Sequence, residues 1–287
     1  MATTIAQPAG IARPHAAGRR TPLGGALWTL ASRRAALTTQ NPRQIAVPLL
    51  TPILFALVIA PALKAALGGL HSHIDYIAFV SVGTVGLLVP LATTFAGLSV
   101  IVDRDSGAQR ELLAAPIPRS LLMLGNLMVV LMLCTFQVAV VIGAAALRGA
   151  HFHISASGVG WFLAAAVPFV VLMYAIAETL ASRIRRQEEY IGATPAIAIL
   201  PWFFAGALFP ISVLPGALTA FAKALPLTHA MALMRYGLVD PRGMGLHEIW
   251  GLGSTTAEAA LSLAVVALFT VALGVLAVRS FTRSAVN

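Results

Sequence analysis

The chain has 287 residues, of which 59% are hydrophobic and only 10% are charged, whereas a soluble globular protein carries about 25% charged residues. A bilayer-spanning helix needs roughly 20 mostly apolar residues, so this length allows about six spans and excludes a large soluble domain beside them. The net charge of +9 does not indicate nucleic-acid binding, because the basic residues lie in short runs between apolar stretches, which is the pattern of membrane topology.

The N-terminal part is predicted to hold a tail and one interfacial helix. Residues 1–22 are expected to form a disordered cytoplasmic tail, because they carry Pro, Gly and Arg without the apolar core of a signal peptide. Residues 23–41 place four leucines on one helical face, which is typical of an amphipathic helix lying in the membrane interface. An ordinary short soluble helix is the alternative.

The remainder predicts an all-α, polytopic membrane protein with a six-span transmembrane domain over residues 44–279. Each span is an apolar stretch long enough to cross the hydrocarbon core. The predicted spans cover residues 44–63, 77–101, 121–147, 158–181, 190–209 and 257–278. Between the fifth and sixth spans, residues 213–225 are apolar but too short to cross and are flanked by prolines, which indicates re-entrant or interfacial helices.

The distribution of basic residues predicts the orientation. If the N-terminus is cytoplasmic, 14 arginines fall on inside segments and five basic residues fall outside. The positive-inside rule therefore places both termini in the cytoplasm. Abundant Ala and a strong preference for Arg over Lys indicate a high-GC bacterial genome, and hence a bacterial plasma membrane.

A charged cytoplasmic segment, residues 103–119, follows the second span. Charges of both signs precede a short apolar run, Leu112-Leu113, and a Pro-x-Pro stop at Pro116 and Pro118. This pattern predicts a short helix outside the membrane, with a surface suited to a soluble partner. A solvated loop that fixes topology explains the same residues equally well.

The same segment resembles the signature of type-2 ABC exporter permeases, the group that includes daunorubicin-resistance-like permeases. In that family an acidic-Arg-acidic cluster leads through Gly and Arg-Glu to Leu-Leu, a small pair, Pro and Arg. Asn41-Pro42, the segment from Phe204 to His229, and Arg235 also resemble the family in their order along the chain, whereas Gln40 departs from the expected basic residue. The resemblance implies a coupling helix that docks on a separate ATPase subunit, with candidate residues Asp103, Arg104, Asp105, Arg110, Glu111 and Leu112.

The chain lacks a nucleotide site of the P-loop type. Both lysines, Lys64 and Lys223, are followed by alanine, so no Gly-x-x-x-x-Gly-Lys-Ser/Thr motif is present. We therefore expect a transport subunit that is not itself an enzyme and holds no cofactor, with ATP and Mg²⁺ bound by the partner ATPase subunit. The resemblance further implies a second permease chain, identical or homologous, and a hydrophobic or amphiphilic substrate such as a drug or a lipid or glycolipid.

Two other classes of protein are alternatives: a secondary carrier, and a membrane-embedded lipid-modifying enzyme without an ATPase partner. Both need polar or ionisable groups clustered at membrane depth. Only Glu178 lies clearly inside a span, and an ion pair with Arg183 is favoured over a substrate or proton role.

Aromatic and histidine residues give two further candidate features. The candidate substrate path is lined by Phe95, Trp202, Phe203 and Phe204, for which packing or lipid contact is an equal alternative. Two His-x-His pairs lie on the predicted outer side, at 71–73 and 151–153. Such pairs can bind Zn or Cu, but solvated loop residues are the favoured interpretation, and no metal site is predicted.

Overall fold

The structure is a computed structural model that describes residues 23–40, 42–66, 75–108, 112 and 118–284. Every regular element within those residues is helical, which confirms the predicted all-α class. The predicted tail over residues 1–22 lies outside the described residues. The helices are α1 (Leu23–Thr39), α2 (Arg43–Leu54), α3 (Ala60–Ala66), α4 (Tyr76–Asp105), α5 (Arg119–Leu147), α6 (Ala156–Arg183), α7 (Gln187–Thr194), α8 (Leu200–Phe204), α9 (Gly216–Ala224), α10 (Pro226–Leu238), α11 (Met244–Trp250) and α12 (Thr255–Ser284).

Five helical stretches of the described chain are long and apolar enough to cross a bilayer. They are Ile45–Ala62, Tyr76–Asp105, Ser120–Leu147, Ala156–Arg183 and Thr255–Arg283. α4 is the central one, because 72% of its apolar window is buried, against 17% for α12. We name the two ends of the bundle after α4, as the Tyr76 end and the Asp105 end.

A sixth segment, α7 to α8, also connects the two ends. Gln187 at its start donates a hydrogen bond to Asp105, and Leu208 just beyond it accepts one from the Tyr76 hydroxyl. The segment is short and begins with two glutamates, so length and hydropathy alone do not single it out. Its contacts show that it runs antiparallel to α4.

Prolines shape two of the crossing segments. α2 and α3 are joined by a wide π turn over Phe55–Ile59, and α7 and α8 by another over Pro195–Ile199. In each case the backbone N–H of the residue after the turn, Ala60 or Leu200, donates to the carbonyl five residues earlier. The next residue in the chain, Pro61 or Pro201, is a proline. Proline lacks the N–H for the normal bond and its ring crowds the carbonyl four residues back, so the helix widens there instead of breaking.

α9 and α10 form an elbow bent by 80°. Thr219 in α9 bonds to the Ile211 and Leu214 carbonyls, and Leu238 at the end of α10 accepts a bond from the His153 backbone just ahead of α6. The start of α9 and the end of α10 therefore both lie at the Tyr76 end. The turn between them, at Leu225, dips into the bundle, which is the geometry of a re-entrant pair.

α10 is the buried part of this elbow. It packs on α6 so closely that a Cβ on Gly158 would lie 2.2 Å from the Gly237 carbonyl oxygen. Only glycine at both positions lets the two backbones approach in this way. The main core consequently joins α4, α6 and α10 into one cluster.

Candidate functional site

The Asp105 end is organised by Arg104, one of the candidate coupling residues. Its guanidinium donates to the carbonyl of Ala181 at 3.1 Å, of Ile184 at 2.9 Å and of Arg185 at 3.2 Å. The last carbonyls of a helix have no partner within it, and a cation there also complements the helix dipole. Arg104 thus ties the end of α4 to the end of α6.

We call the junction of the ends of α4 and α6 the corner. Asp103, the residue before Arg104, links this corner to α1. Its carboxylate accepts from the Arg34 guanidinium at 3.2 Å, and the two side chains are 22% and 10% exposed. Arg34 also reaches the Ala96 carbonyl at 3.5 Å. α1 is therefore held against α4 by a partly buried ion pair.

Asp105 completes the corner by accepting a hydrogen bond from the Gln187 side chain at 3.2 Å. α4 ends at Asp105, and two residues later Gly107 has a φ of +80°, the left-handed conformation that glycine adopts readily after a helix end. Arg110 and Glu111 lie outside the described residues. Leu112 is half-buried and packs beside the cluster of Leu122, Met123, Ala175, Ala277 and Phe281.

Glu178 lies near this end of α6, and the predicted ion pair with Arg183 is wrong. The Glu178 carboxylate is buried and accepts a hydrogen bond from the Tyr174 hydroxyl, one turn earlier on the same helix. Tyr174 also contacts the Met123 carbonyl at 3.1 Å. Arg183 is exposed. The difference arises because residues four apart share a helix face, whereas Arg183 is five positions from Glu178.

An apolar groove runs from this corner along α4 toward its middle. Its volume is about 350 Å³, and α2, α4 and α7 form its walls. Phe95 and Tyr190 are among the lining residues. α7 approaches α4 closely, since a Cβ on Gly97 would lie 2.1 Å from the Tyr190 hydroxyl oxygen.

The four aromatic candidates for the substrate path do not lie together. Phe95 lines the groove, whereas Trp202 is buried and its indole Nε1 donates to the Gly83 carbonyl at 2.8 Å, about three turns away along α4. Phe203 stacks edge-on against Trp202 and is 44% exposed. Phe204 stacks against Phe221 of α9. Of the four, Trp202 is buried, whereas Phe95, Phe203 and Phe204 retain exposed surface.

Arg235 is the organising residue at the Tyr76 end. It is buried in α10, and each of its three nitrogens donates to a backbone carbonyl, those of Phe79, Gly206 and Ala207. Its guanidinium carbon also lies 3.5 Å above the Phe79 ring. Arg235 thereby fastens the re-entrant elbow to α4 and to the chain that follows α8.

Asp75 and His151 hold the neighbouring loop. The Asp75 carboxylate caps α4 by accepting from the backbone of Ile77 and Ala78, and its second oxygen accepts from the backbone and ring of His151. Partial burial raises the pKa of Asp75, but the four hydrogen bonds outweigh it, and the net pKa is lowered. His71 and His73 lie outside the described residues, and within those residues no three metal-ligating side chains come together.

Sequence reasoning missed the residues that pair with the predicted ones. Arg34, Gln187 and the carbonyls at the end of α6 are 69 to 82 positions from their partners on α4. The only local signal was Arg34 itself, a charge placed on the side of α1 that faces the bundle.

These features define a class of protein: a polytopic helical membrane protein with a charged corner at one end and a re-entrant elbow at the other. A family model described as ABC-2 type transporter matches residues 25–239, about three quarters of the chain, and the chain belongs to that family. It is therefore an ABC permease subunit, and members of the family normally work with a separate ATPase subunit. No curated protein matches the chain.

Proposed function

We propose that this permease is the transmembrane subunit of an ATP-driven exporter for a hydrophobic or amphiphilic substrate, a drug or a lipid or glycolipid. In this proposal the Asp105 end and both termini face the cytoplasm of a bacterial cell, and the chain falls in the group of daunorubicin-resistance-like permeases that its charged segment resembles. Two permease chains, identical or homologous, assemble with ATPase subunits that bind ATP and Mg²⁺.

The observation that carries the proposal is the three-carbonyl clamp made by Arg104. The predicted docking segment, residues 103–119, begins at this clamp, so a displacement of the segment moves the ends of α4 and α6 together. A single hydrogen bond from a flexible lysine ammonium would transmit such a displacement poorly. A guanidinium whose donors form a fixed fork transmits it.

The ion pair between Arg34 and Asp103 extends the same unit to α1. Since α1 packs along α5, four helices are joined at one corner. In the proposed mechanism, closure of the ATPase subunits pushes on the segment after Asp105, and the corner tilts as one body. The α4 wall of the apolar groove tilts with it.

The groove supports an apolar or amphiphilic substrate. Among the described residues, its lining includes Leu91, Leu98 and Ile191 with the hydroxyls of Thr51 and Thr94, and no charged residue. A largely apolar pocket with few polar groups suits a ligand that partitions into lipid. We propose that Phe95 contacts the substrate within this groove.

The decisive experiment compares coupling in reconstituted vesicles. The tagged permease is purified from native membranes with its P-loop ATPase subunit, and ATP hydrolysis and export of a fluorescent amphiphile are measured together. Arg104→Lys keeps the charge but loses the forked geometry, so hydrolysis should continue at a near-normal rate while export per ATP falls at least fivefold. Arg279→Lys, an exposed change in α12, is the matched control and should behave as the natural protein.

Two results would overturn the proposal. Equal export per ATP in Arg104→Lys and the control would remove the role of the clamp. Export by the permease alone, driven by an ion gradient without the ATPase subunit, would instead assign the chain to secondary carriers.

A further inference from the structure

The proposed mechanism leaves Glu178 unused, although it is a buried carboxyl group within the membrane-crossing stretch Ala156–Arg183. A charged side chain at membrane depth is costly and needs a partner. The hydrogen bonds and neighbours of Glu178 therefore decide whether the group carries a charge.

The Tyr174 hydroxyl contacts two oxygen atoms that are both acceptors when Glu178 is ionised. One is the Met123 carbonyl on α5 at 3.1 Å, and the other is Oε1 of Glu178. A tyrosine hydroxyl has one hydrogen to donate, and an ionised carboxylate has none. With Glu178 ionised, one of the two contacts would bring two oxygen atoms together without a hydrogen between them. A proton on Glu178 supplies the missing hydrogen, because Tyr174 then accepts from Glu178 and donates to Met123.

The second carboxyl oxygen of Glu178 gives an independent observation. Oε2 is buried and has no hydrogen-bond partner within the described chain. Part of the charge of an ionised carboxylate would lie on this oxygen, and a buried charge is very costly unless it is paired and hydrogen-bonded. In a protonated acid the same atom is a neutral carbonyl oxygen, which costs less to bury without a partner.

Glu178 forms no ion pair with any described residue. Arg34 on α1 interacts with it electrostatically, but the Arg34 guanidinium is bonded to Asp103 and to a backbone carbonyl of α4. Arg104 on α4 is bonded to the carbonyls at the end of α6. The contacts of both cations are therefore with groups other than the Glu178 side chain.

The remaining neighbours of Glu178 and Tyr174 are neutral or exposed. Tyr190 on α7 and Asn126 on α5 are the polar groups that approach them, and neither is charged at neutral pH. α10 packs on α6 toward the Tyr76 end, away from Glu178. At the Asp105 end, two exposed side chains carry the charge of α12, those of Arg279 and Arg283.

We propose that Glu178 is a neutral carboxylic acid in the folded permease at neutral pH, and that its proton completes a hydrogen-bonded link from α6 through Tyr174 to α5. The bond between the two side chains then runs from Glu178 to Tyr174, the reverse of the direction that an ionised carboxylate imposes. The link fastens α6 to α5 without adding a charge, so Arg34 remains the partner of Asp103.

Infrared spectroscopy tests the proton directly, because the C=O stretch of a protonated carboxyl group is separate from the bands of ionised carboxylates. The full-length permease is purified in a maltoside detergent, which has neither ester nor carboxyl groups. The spectrum of Glu178→Gln is subtracted from that of the natural protein at neutral pH, and the expected difference is a protonated-carboxyl band. Glu189→Gln is the matched control, because this side chain is exposed and therefore ionised, and its difference spectrum should show carboxylate bands only.

Two further variants test the link to Tyr174. In Tyr174→Phe the protonated-carboxyl band should remain and move to higher wavenumber, because the carboxyl group loses its hydrogen-bond acceptor. Glu178→Gln keeps the shape and neutrality of the acid and donates to Tyr174 through its amide, so it should melt within about 4 °C of the natural protein. Glu178→Leu cannot donate and should melt lower than Glu178→Gln.

The inference fails on any of three results. The first is a loss of carboxylate bands in Glu178→Gln like that in Glu189→Gln, and the second is an unchanged band position in Tyr174→Phe. The third is a Glu178→Gln protein that does not fold, or that melts as low as Glu178→Leu. None of these results bears on the exporter proposal, which depends on Arg104 and is measured by export per ATP.

Discussion

The guanidinium of Arg148 donates a hydrogen bond of 3.2 Å to the backbone carbonyl of Leu57, 91 positions earlier in the chain. Leu57 lies four residues before Pro61, so its carbonyl lacks the N–H that a regular helix would supply. A side chain from the end of α5 thus supplies the donor that a proline in the first crossing segment removed. Unpaired backbone groups are costly in lipid, and this bond stabilises the segment against α5.

That relationship predicts a coupling between Arg148 and Pro61. Arg148→Ala should destabilise the protein by about 1 kcal/mol, the net value of one hydrogen bond, seen as earlier thermal unfolding in detergent. In a Pro61→Ala background the Leu57 carbonyl regains a helical partner, so the further change Arg148→Ala should cost much less. Equal losses in the two backgrounds would show that Arg148 acts through something other than the Leu57 carbonyl.

The clamp at the Asp105 end predicts a local opening when Arg104 is changed. Arg104→Ala removes the donor to three carbonyls, so the end of α6 should fray. Amide hydrogen exchange over residues 181–187 is expected to accelerate at least tenfold, while α10 stays protected. Unchanged exchange in that segment would mean that the carbonyls find other partners.

The ion pair between Arg34 and Asp103 predicts a rescue by charge reversal. Each single change, Arg34→Asp or Asp103→Arg, places two like charges at a partly buried contact and should destabilise the protein by about 1–3 kcal/mol. The double variant restores opposite charges and should recover at least half of the lost stability. Arg33→Asp, at the exposed neighbouring position, serves as the control; a loss there as large as in Arg34→Asp would contradict a specific pair.

Gly83 should not tolerate a side chain. A Cβ at this position would lie 2.2 Å from the Ala207 carbonyl oxygen and 2.6 Å from the Arg235 Nη2 atom. Gly83→Ala should therefore displace the Arg235 anchor and lower stability by about 1–3 kcal/mol, the usual cost of overpacking. Gly143→Ala is the matched control, because nothing lies within 4 Å of the new methyl group, and thermal unfolding should show no loss there.

Acid should loosen the loop that Asp75 holds. Its pKa is lowered in the folded protein, so its contribution to stability is complete above the ordinary aspartate pKa of about 4. The contribution is lost as the pH falls through the lowered folded value, because the unfolded chain binds the proton first. Between pH 7 and pH 3, the melting temperature should fall less in Asp75→Asn than in the natural protein, and an equal fall in both would contradict this role.

The crossing segments were largely predictable because their signal is local. A run of some 20 apolar residues is sufficient to predict a span, and prolines such as Pro215 and Pro226 marked the elbow. The charged residues after the second span stood out for the same reason. The predicted ion pair between Glu178 and Arg183 was wrong because it rested on Arg183 being the nearest opposite charge in the sequence. Helix geometry instead brings the Tyr174 hydroxyl to the Glu178 carboxylate.

The aromatic candidates show where sequence reasoning stops. Trp202 and Phe203 are adjacent and equally apolar in the sequence, yet one is 1% exposed and the other 44%. In water, polarity separates the outer face of a helix from its core face. Lipid is as apolar as a leucine side chain, so that contrast is lost in a membrane span.

The sequence by itself determined that this chain is a helical membrane protein, because apolar run length and charge order are properties of neighbouring residues, and its local motifs were sufficient to show the resemblance to type-2 ABC permeases. Only the tertiary structure decided which partners Arg34, Arg104, Arg148 and Arg235 bind. Each of them reaches a partner 28 to 156 positions away. Such contacts depend on how helices pack, and close approaches such as Gly158 to Gly237 set that packing.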